Sequence, residues 1–325
     1  MKHSRRQLLQ FTAGAVPAAL ILGVARAQAF PARPIHLVFG FAPGGLSGLI
    51  SRIIDQRFSD HLGQPVILEH KPGAAGNIAA QAVISSPPDG YTLLYVPTSS
   101  TINATMYERL PFNFLRDIAP VAGLLQMPNL MTINPSIPAN TVAEFIAYAK
   151  TNPGTINMAS PGIGTVAHLA GELFQSMTGV NFVHVPYRGV APAYTDLISG
   201  RVQVMFDILP NSIEHAKAGK VRALAVTSAV RAAALPDVAT IGETVIGYEA
   251  STWGGVGAPR GTPPEILDTL NREINAAFAI PGVKARLDDL GASRFTTSAA
   301  GFGAHLAAET EKWGKVIRAA SIKPD

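Results

Sequence analysis

The 325-residue sequence predicts an α/β protein of two lobes, each a mostly parallel sheet flanked by helices. Three observations predict it. Short apolar, β-branched runs alternate with amphipathic segments almost without interruption. The alternation restarts near residue 130 and gives way to a helical tail after Ala250. Each block carries one glycine-rich turn between a strand and a helix. Composition sets the bounds: apolar residues are 47% and charged residues 15%, which excludes disorder and a coiled coil. There is no cysteine, which excludes a disulfide scaffold, a thiolate metal site and a cysteine nucleophile.

In the first block, Ile35–Phe41 reads as a strand that ends at Pro43-Gly44-Gly45. From Ser47 to His61, Leu49, Ile50, Ile53, Ile54 and Phe58 share one face at helical spacing. Val66–Leu68 is a second strand and Asn77–Ser85 a short helix. Pro87-Pro88-Asp89-Gly90 is a turn before a third strand at Tyr91–Val96. The second block opens with a strand at Leu130–Ile133. Thr141, with Glu144 three residues on, has the form of a capping box that satisfies free amides at a helix start. Strands at Ile156–Ala159, Phe182–Val185, Val202–Phe206 and Val221–Val226 alternate with helices at Thr165–Met177, Ala191–Ile198 and Pro210–Ala218. Gly179 stands where a helix favours glycine after its end. The tail holds a strand at Ser251–Gly257 and helices from Thr262-Pro263-Pro264 to Phe278, at Gly282–Leu290 and at Phe302–Ala320. The expected division is an export leader at 1–29, lobe 1 at 30–130 plus 250–325, and lobe 2 at 131–249.

The net charge of +4 sits at one end. Lys2, Arg5, Arg6 and Arg26 fall in the first 27 residues, which hold no acid, and 22 basic residues then meet 22 acidic ones. The basic excess is therefore no sign of nucleic-acid binding. A basic start, an apolar run from Leu8 to Val24, and the small-residue options Ala25-Arg26-Ala27 and Ala27-Gln28-Ala29 read as an export signal. Ser4-Arg5-Arg6-Gln7-Leu8-Leu9-Gln10 resembles the twin-arginine kind, so the expected destination is the Gram-negative periplasm. No later segment is long enough to span a bilayer, and no membrane insertion is expected after leader removal.

Candidate chemistry gathers at strand ends, where open α/β sheets bind ligands. Phe41, Pro43, Gly44, Gly45 and Ser47 leave the first strand and enter a helix, with Ser47 the expected N-cap. The free amides and dipole of a helix start favour an anion. The spacing is neither a dinucleotide fingerprint nor a P-loop. Ser160, Gly162, Gly164, Thr165 and His168 form the corresponding turn of the second block. Facing one another, two such turns would close neutral donors around a carboxylate and avoid burying a counter-charge. Thr98 and Ser99 begin a run of hydroxyls that reads as a loop. Tyr187, Arg188 and Asp207 end strands, and Arg188 has the fork that matches a carboxylate. Ser160, His168 and Asp207 are the types of a hydrolytic triad. The eight histidines show no metal-ligand spacing, and Gly-x-Ser-x-Gly and His-Glu-x-x-His are absent. No catalytic residue, metal or cofactor is expected.

A set of distinctive short runs is spread along the mature chain. It includes Pro43-Gly44-Gly45, Leu62-Gly63-Gln64-Pro65-Val66, Lys71-Pro72-Gly73-Ala74-Ala75-Gly76-Asn77 and Pro88-Asp89-Gly90-Tyr91-Thr92-Leu93-Leu94. It continues with Ser160 to Leu169, His184-Val185-Pro186-Tyr187-Arg188-Gly189 and Ala218-Gly219-Lys220-Val221-Arg222-Ala223. Together these runs resemble the Bug family, the substrate-binding receptors of tripartite tricarboxylate transporters, and the resemblance implies a type II periplasmic-binding-protein fold, a small organic acid as ligand, a membrane permease of large and small subunits as partner, and a monomer. It places carboxylate donors at Pro43, Gly44, Gly45 and Ser47, and at Ser160, Gly164 and Thr165. Gly48 stands where the family commonly has Asp, which favours a purely anionic ligand. His70 and Ala239 also depart from the family and read as peripheral. A receptor presenting its solute to a signalling kinase and a periplasmic hydrolase are the alternative readings.

Overall fold

The computed structural model describes residues 30–107 and 109–324; the expected leader lies outside them. Among the described residues eleven strands form two sheets. The first joins β1 (Ile35–Phe39), β2 (Val66–His70), β3 (Thr92–Pro97), β4 (Ile118–Met127), β10 (Thr252–Pro259) and β11 (Ser293–Arg294). The second joins β5 (Asn129–Ile133), β6 (Ile156–Ser160), β7 (Phe182–Pro186), β8 (Val204–Ile208) and β9 (Arg222–Val226). The helices are α1 (Gly45–Leu62), α2 (Asn77–Ile84), α3 (Ser99–Met106), α4 (Phe114–Asp117), α5 (Val142–Thr151), α6 (Val166–Thr178), α7 (Val190–Ser199), α8 (Leu209–Lys217), α9 (Pro264–Ala279), α10 (Pro281–Asp289) and α11 (Ala299–Ala319).

The orders are β11-β4-β10-β3-β1-β2 and β7-β6-β8-β5-β9. Apart from the edge strand β11, both follow one plan: second, first, third, crossing strand, fourth. The crossing strand is antiparallel to its neighbours, β10 to β3 and β4, and β5 to β8 and β9. The chain therefore enters each lobe's partner sheet against the grain, once after Pro128 and once on its return.

Period-two alternation in β1 sends Ile35, Leu37 and Phe39 to one face, where α1 and α9 cover them with Ile50, Phe58, Ile274 and Phe278. Val38 faces the other side, with Val83 of α2 and Phe302 of α11. In the second lobe Val204 and Phe206 pack with Phe145 and Phe174, whereas Met205 packs with Tyr194 and Leu197. The core around Phe174 also takes in Met106 of α3 and Trp313 and Ile317 of α11, so the two lobes share one packed region.

Helix starts follow the local chemistry. Thr141 caps α5 by accepting from the Glu144 amide at 3.1 Å, while the Glu144 carboxylate accepts from Asn140 rather than from the cap residue. Thr165 caps α6, and Gly179 ends it in the left-handed conformation, φ 71°. Two expectations are corrected. The hydroxyl run after β3 is a helix, because Thr98 and Thr101 turn their hydroxyls inward onto backbone carbonyls and leave the chain free to coil. Ser47 is not the N-cap of α1. Gly44 takes that place in an extended conformation, and the Ser47 hydroxyl reaches back to donate to its carbonyl at 2.9 Å.

β10 is thin for a reason. A Cβ at Gly255 would overlap the Phe302 ring and stand 2.7 Å from the Ala122 carbonyl oxygen. Gly255→Ala should lower stability by about 3 kcal/mol in urea unfolding, the upper end of ordinary overpacking. Gly282→Ala in α10, where nothing lies within 4 Å, should cost nothing.

Candidate functional site

In both sheets the first and third strands are neighbours, and the helices after them depart to opposite faces. α1 leaves β1 toward α9, and α3 leaves β3 toward α11. In the second lobe α6 follows β6 and α8 follows β8. This is the switch-point arrangement at which α/β sheets bind ligands. Two observations set the lobes' switch points opposite each other. Leu46 and Leu49 of α1 line one cavity with Ile208 and Pro210 of the β8–α8 junction. A Cβ on Gly164 would stand 2.9 Å from Met106 Cε at the end of α3.

The four helices that begin here, α1, α3, α6 and α8, carry no acidic residue in their first turns. Of the helices starting elsewhere, α4, α5 and α9 carry Asp117, Glu144 and Glu265 there, whereas α2, α7, α10 and α11 carry none. An acid at a helix start stabilises the helix. Its absence at these four leaves donor ends without a resident anion.

In the first turn, Phe41, Pro43 and Gly44 are exposed and Ser47 is buried. The Gly44 N–H faces Ser47 Oγ at 3.3 Å, and the amides of Gly45, Leu46 and Ser47 in the first turn have no intrahelical partner. A Cβ on Gly40 would lie 2.5 Å from Gly76 Cα, so the segment 73–77 buttresses this turn. His70 is not peripheral: its Nδ1 lies 2.8 Å from the Phe41 carbonyl oxygen and holds the turn from below.

The second turn is tied more tightly. Ser160 is fully buried; its Oγ lies 3.1 Å from the Gly162 carbonyl and 2.7 Å from His184 Nε2. Thr165 Oγ1 donates to the same carbonyl at 2.8 Å. His168 is buried, and its Nδ1 accepts from the Gly164 amide at 3.2 Å. Nε2 therefore carries the proton and faces Glu172 at 3.4 Å. The His168 and His184 rings stack 3.7 Å apart at 7°. His184 entered the sequence reading only within the run His184–Gly189 and not as a candidate site residue.

Other candidates divide into held and free. Thr98 Oγ1 is buried between the Trp253 amide (2.7 Å) and carbonyl (3.0 Å), so it braces β10. Ser99 Oγ is near the Ala75 carbonyl at 3.4 Å. Tyr187 donates to Asp196 at 2.8 Å, and burial with that bond pushes its hydroxyl up to about 12. Arg188 is exposed and without an ion pair among the described residues. Asp207 lies within β8 and is 3% exposed. Its Oδ1 accepts from the Ile208 amide at 2.9 Å, and Oδ2 has no partner among the described residues. Ser160, His168 and Asp207 do not form a triad, since each binds other groups and the serine has no exposed surface. Among the described residues no group of three His, Asp or Glu could hold a metal ion.

Burial, reinforced by the neighbouring His168, holds the His184 imidazole down at about 4. As pH falls below about 6.5 the unfolded chain takes up this proton first, so stability drops toward pH 4. Asp207 has the opposite sign. Burial pushes its carboxyl up to about 6, and the unfolded chain loses its proton from about 3.9 upward, so stability drops as pH rises from 4 to 6 and stays lost above. Asp207→Asn should therefore melt higher than the parent at pH 7.5 and lose that advantage at pH 4. His184→Asn should flatten the acid-side fall in melting temperature, whatever its absolute stability.

Residues 50–322 match the sequence model of the tripartite tricarboxylate transporter family receptors. Protein BugT of Bordetella pertussis is 34% identical over 302 residues, covering 91% of this chain and 92% of BugT. Rpa4515 of R. palustris, solved with adipate, superposes with a TM-score of 0.75 at 37% identity, covering 91% of this chain and 100% of that one. MatC of Rhodopseudomonas palustris, solved with bound malate, superposes with a TM-score of 0.69 at 31% identity, covering 89% and 100%. The fold is the two-lobed one of periplasmic binding proteins, and the chain belongs to the TctC family of tripartite tricarboxylate transporter receptors.

Proposed function

We propose that this chain captures a small organic carboxylate between its lobes in the periplasm and delivers it, as a monomer, to a membrane permease of large and small subunits. The observation that carries the reading is the set of four helix starts at facing switch points, none with a first-turn acid. Neutral amides offer an anion hydrogen bonds without the desolvation of a fixed counter-charge. The adipate and malate held by two relatives are acids of this class. Among the described residues no helix is long and apolar enough to cross a membrane, which suits a diffusing carrier released from its twin-arginine leader.

The mechanism is differential binding. An acid that meets donors from both lobes at once binds the closed arrangement better than the open one, and that difference alone drives closure. The site needs no covalent step: its one serine–histidine contact is buried and holds the Gly162 turn.

A thermal-shift screen of organic acids tests this on protein recovered from the periplasm of cells expressing the full chain. A cognate acid at 100 times its Kd should add about 2.7 kcal/mol of stability. A shift with a sugar or a metal ion, and with no acid, refutes the carboxylate reading. Gly44→Leu should fold normally, because a Cβ there meets only the Ala42 carbonyl oxygen at 4.0 Å. It should nonetheless bind acids at least tenfold more weakly in calorimetry; unchanged affinity removes that turn from the site.

A further inference from the structure

Beside the first glycine turn lies a cavity of about 530 Å³, within the range of about 300–1,000 Å³ that small-molecule sites occupy. Both lobes wall it. Leu46 and Leu49 of α1 and Met127 of β4 form one side, and Ile208 and Pro210 the other. This wall offers no side-chain hydrogen bond. Its charges stand at the rim, where Arg52 of α1 and Arg286 and Asp289 of α10 line the same space. Both arginines are exposed and have no ion pair among the described residues. Arg52 lies beside Gly48, one turn back on α1. A Cβ on Gly48 would stand in ordinary contact, 3.7 Å from Arg52 Nη1, which shows the guanidinium folded back along α1 toward the start of the helix.

We propose that this cavity and Arg52 set specificity, selecting dicarboxylates whose spacer is apolar and free of hydroxyls. The proposal rests on the carboxylate-receptor reading above. One carboxylate sits on the amides at the start of α1. The methylene chain lies against Leu46, Leu49 and Ile208, and the second carboxylate reaches Arg52 at the rim. Each buried methylene should tighten binding about fourfold. A spacer hydroxyl buried on this wall would find no partner and weaken binding by about tenfold. The contact with Arg52 is solvent-exposed and should contribute about fivefold, less at high salt.

Calorimetric titration of the purified protein with succinate, adipate, suberate, malate and hexanoate tests this. Affinity should rise from succinate to adipate and suberate, and malate should bind about tenfold more weakly than succinate. Arg52→Gln, a change at an exposed position, should weaken adipate and suberate about fivefold and leave hexanoate unchanged. Malate binding as tightly as adipate, or Arg52→Gln leaving every dicarboxylate unchanged, overturns the specificity assignment while the receptor reading stands. If the parent protein binds none of these acids nor any other organic acid, the receptor reading falls and takes this inference with it.

Discussion

A single buried carboxylate ties the parts of this molecule together. Glu309, 5% exposed, accepts from two indoles, Trp253 Nε1 at 3.0 Å and Trp313 Nε1 at 2.9 Å. Trp253 belongs to β10 and Trp313 to α11. The charge is balanced by Lys312, which pairs with Glu309 and lies 3.1 Å from Glu249 in the segment returning from the second lobe. Burial would raise the Glu249 carboxyl, but Lys312 outweighs it and holds the group below its ordinary range. Removing one partner of such a set would leave an uncompensated buried charge, a loss of several kcal/mol. The set fixes the place of α11, and that place explains the glycines of β10, since Phe302 of the same helix presses on Gly255. Thr98, bonded to both backbone groups of Trp253, carries the constraint on to the start of α3 at the cleft.

Around the cleft the chemistry is reversed. Where the scaffold buries paired charges, the four helix starts at the cleft offer neutral donors with no acid in their first turns. Rigidity there comes from neutral contacts: hydroxyls of Ser160 and Thr165 on one carbonyl, imidazoles under the amide of Gly164 and the hydroxyl of Ser160, and His70 against the Phe41 carbonyl. Preorganised donors of this kind lower the ordering cost of binding without adding a charge that would itself need desolvation.

Much of the architecture was legible because it rests on local signals. The alternating run at Ile35, the apolar face of α1, the Thr141 and Thr165 caps and the proline start of α9 each depend on a few neighbouring residues. β4 was not legible. It holds Pro120 and Gly123, residue types that weaken strands, and tolerates them because β10 pairs with it through two register shifts and Phe295 packs over Gly123 where a side chain would be. The second turn shows the same limit at the site. Ser160 was singled out with His168, but its partner is His184, which parallel pairing of β6 and β7 places opposite Met158. That neighbour is set by sheet register, and no spacing in the sequence encodes it. The charge of Asp207 was visible, but its burial was not, because β8 runs two residues past the expected strand end.

The two flanks of the cleft are unlike. On the α6 flank, Met106, Trp313 and Ile317 of the first lobe are packed into the second lobe's core, and the Met106 side chain abuts Gly164. On the α1 flank, Leu46 and Ile208 face each other across open space. Close-packed interiors resist compression, whereas a cavity does not. Any rotation of the lobes that keeps the shared core intact must therefore change the width of the α1 flank most. The flank able to change width is also the one that carries the bare glycine turn and the free guanidinium of Arg52, so in the proposed reading capture and closure draw on the same few residues.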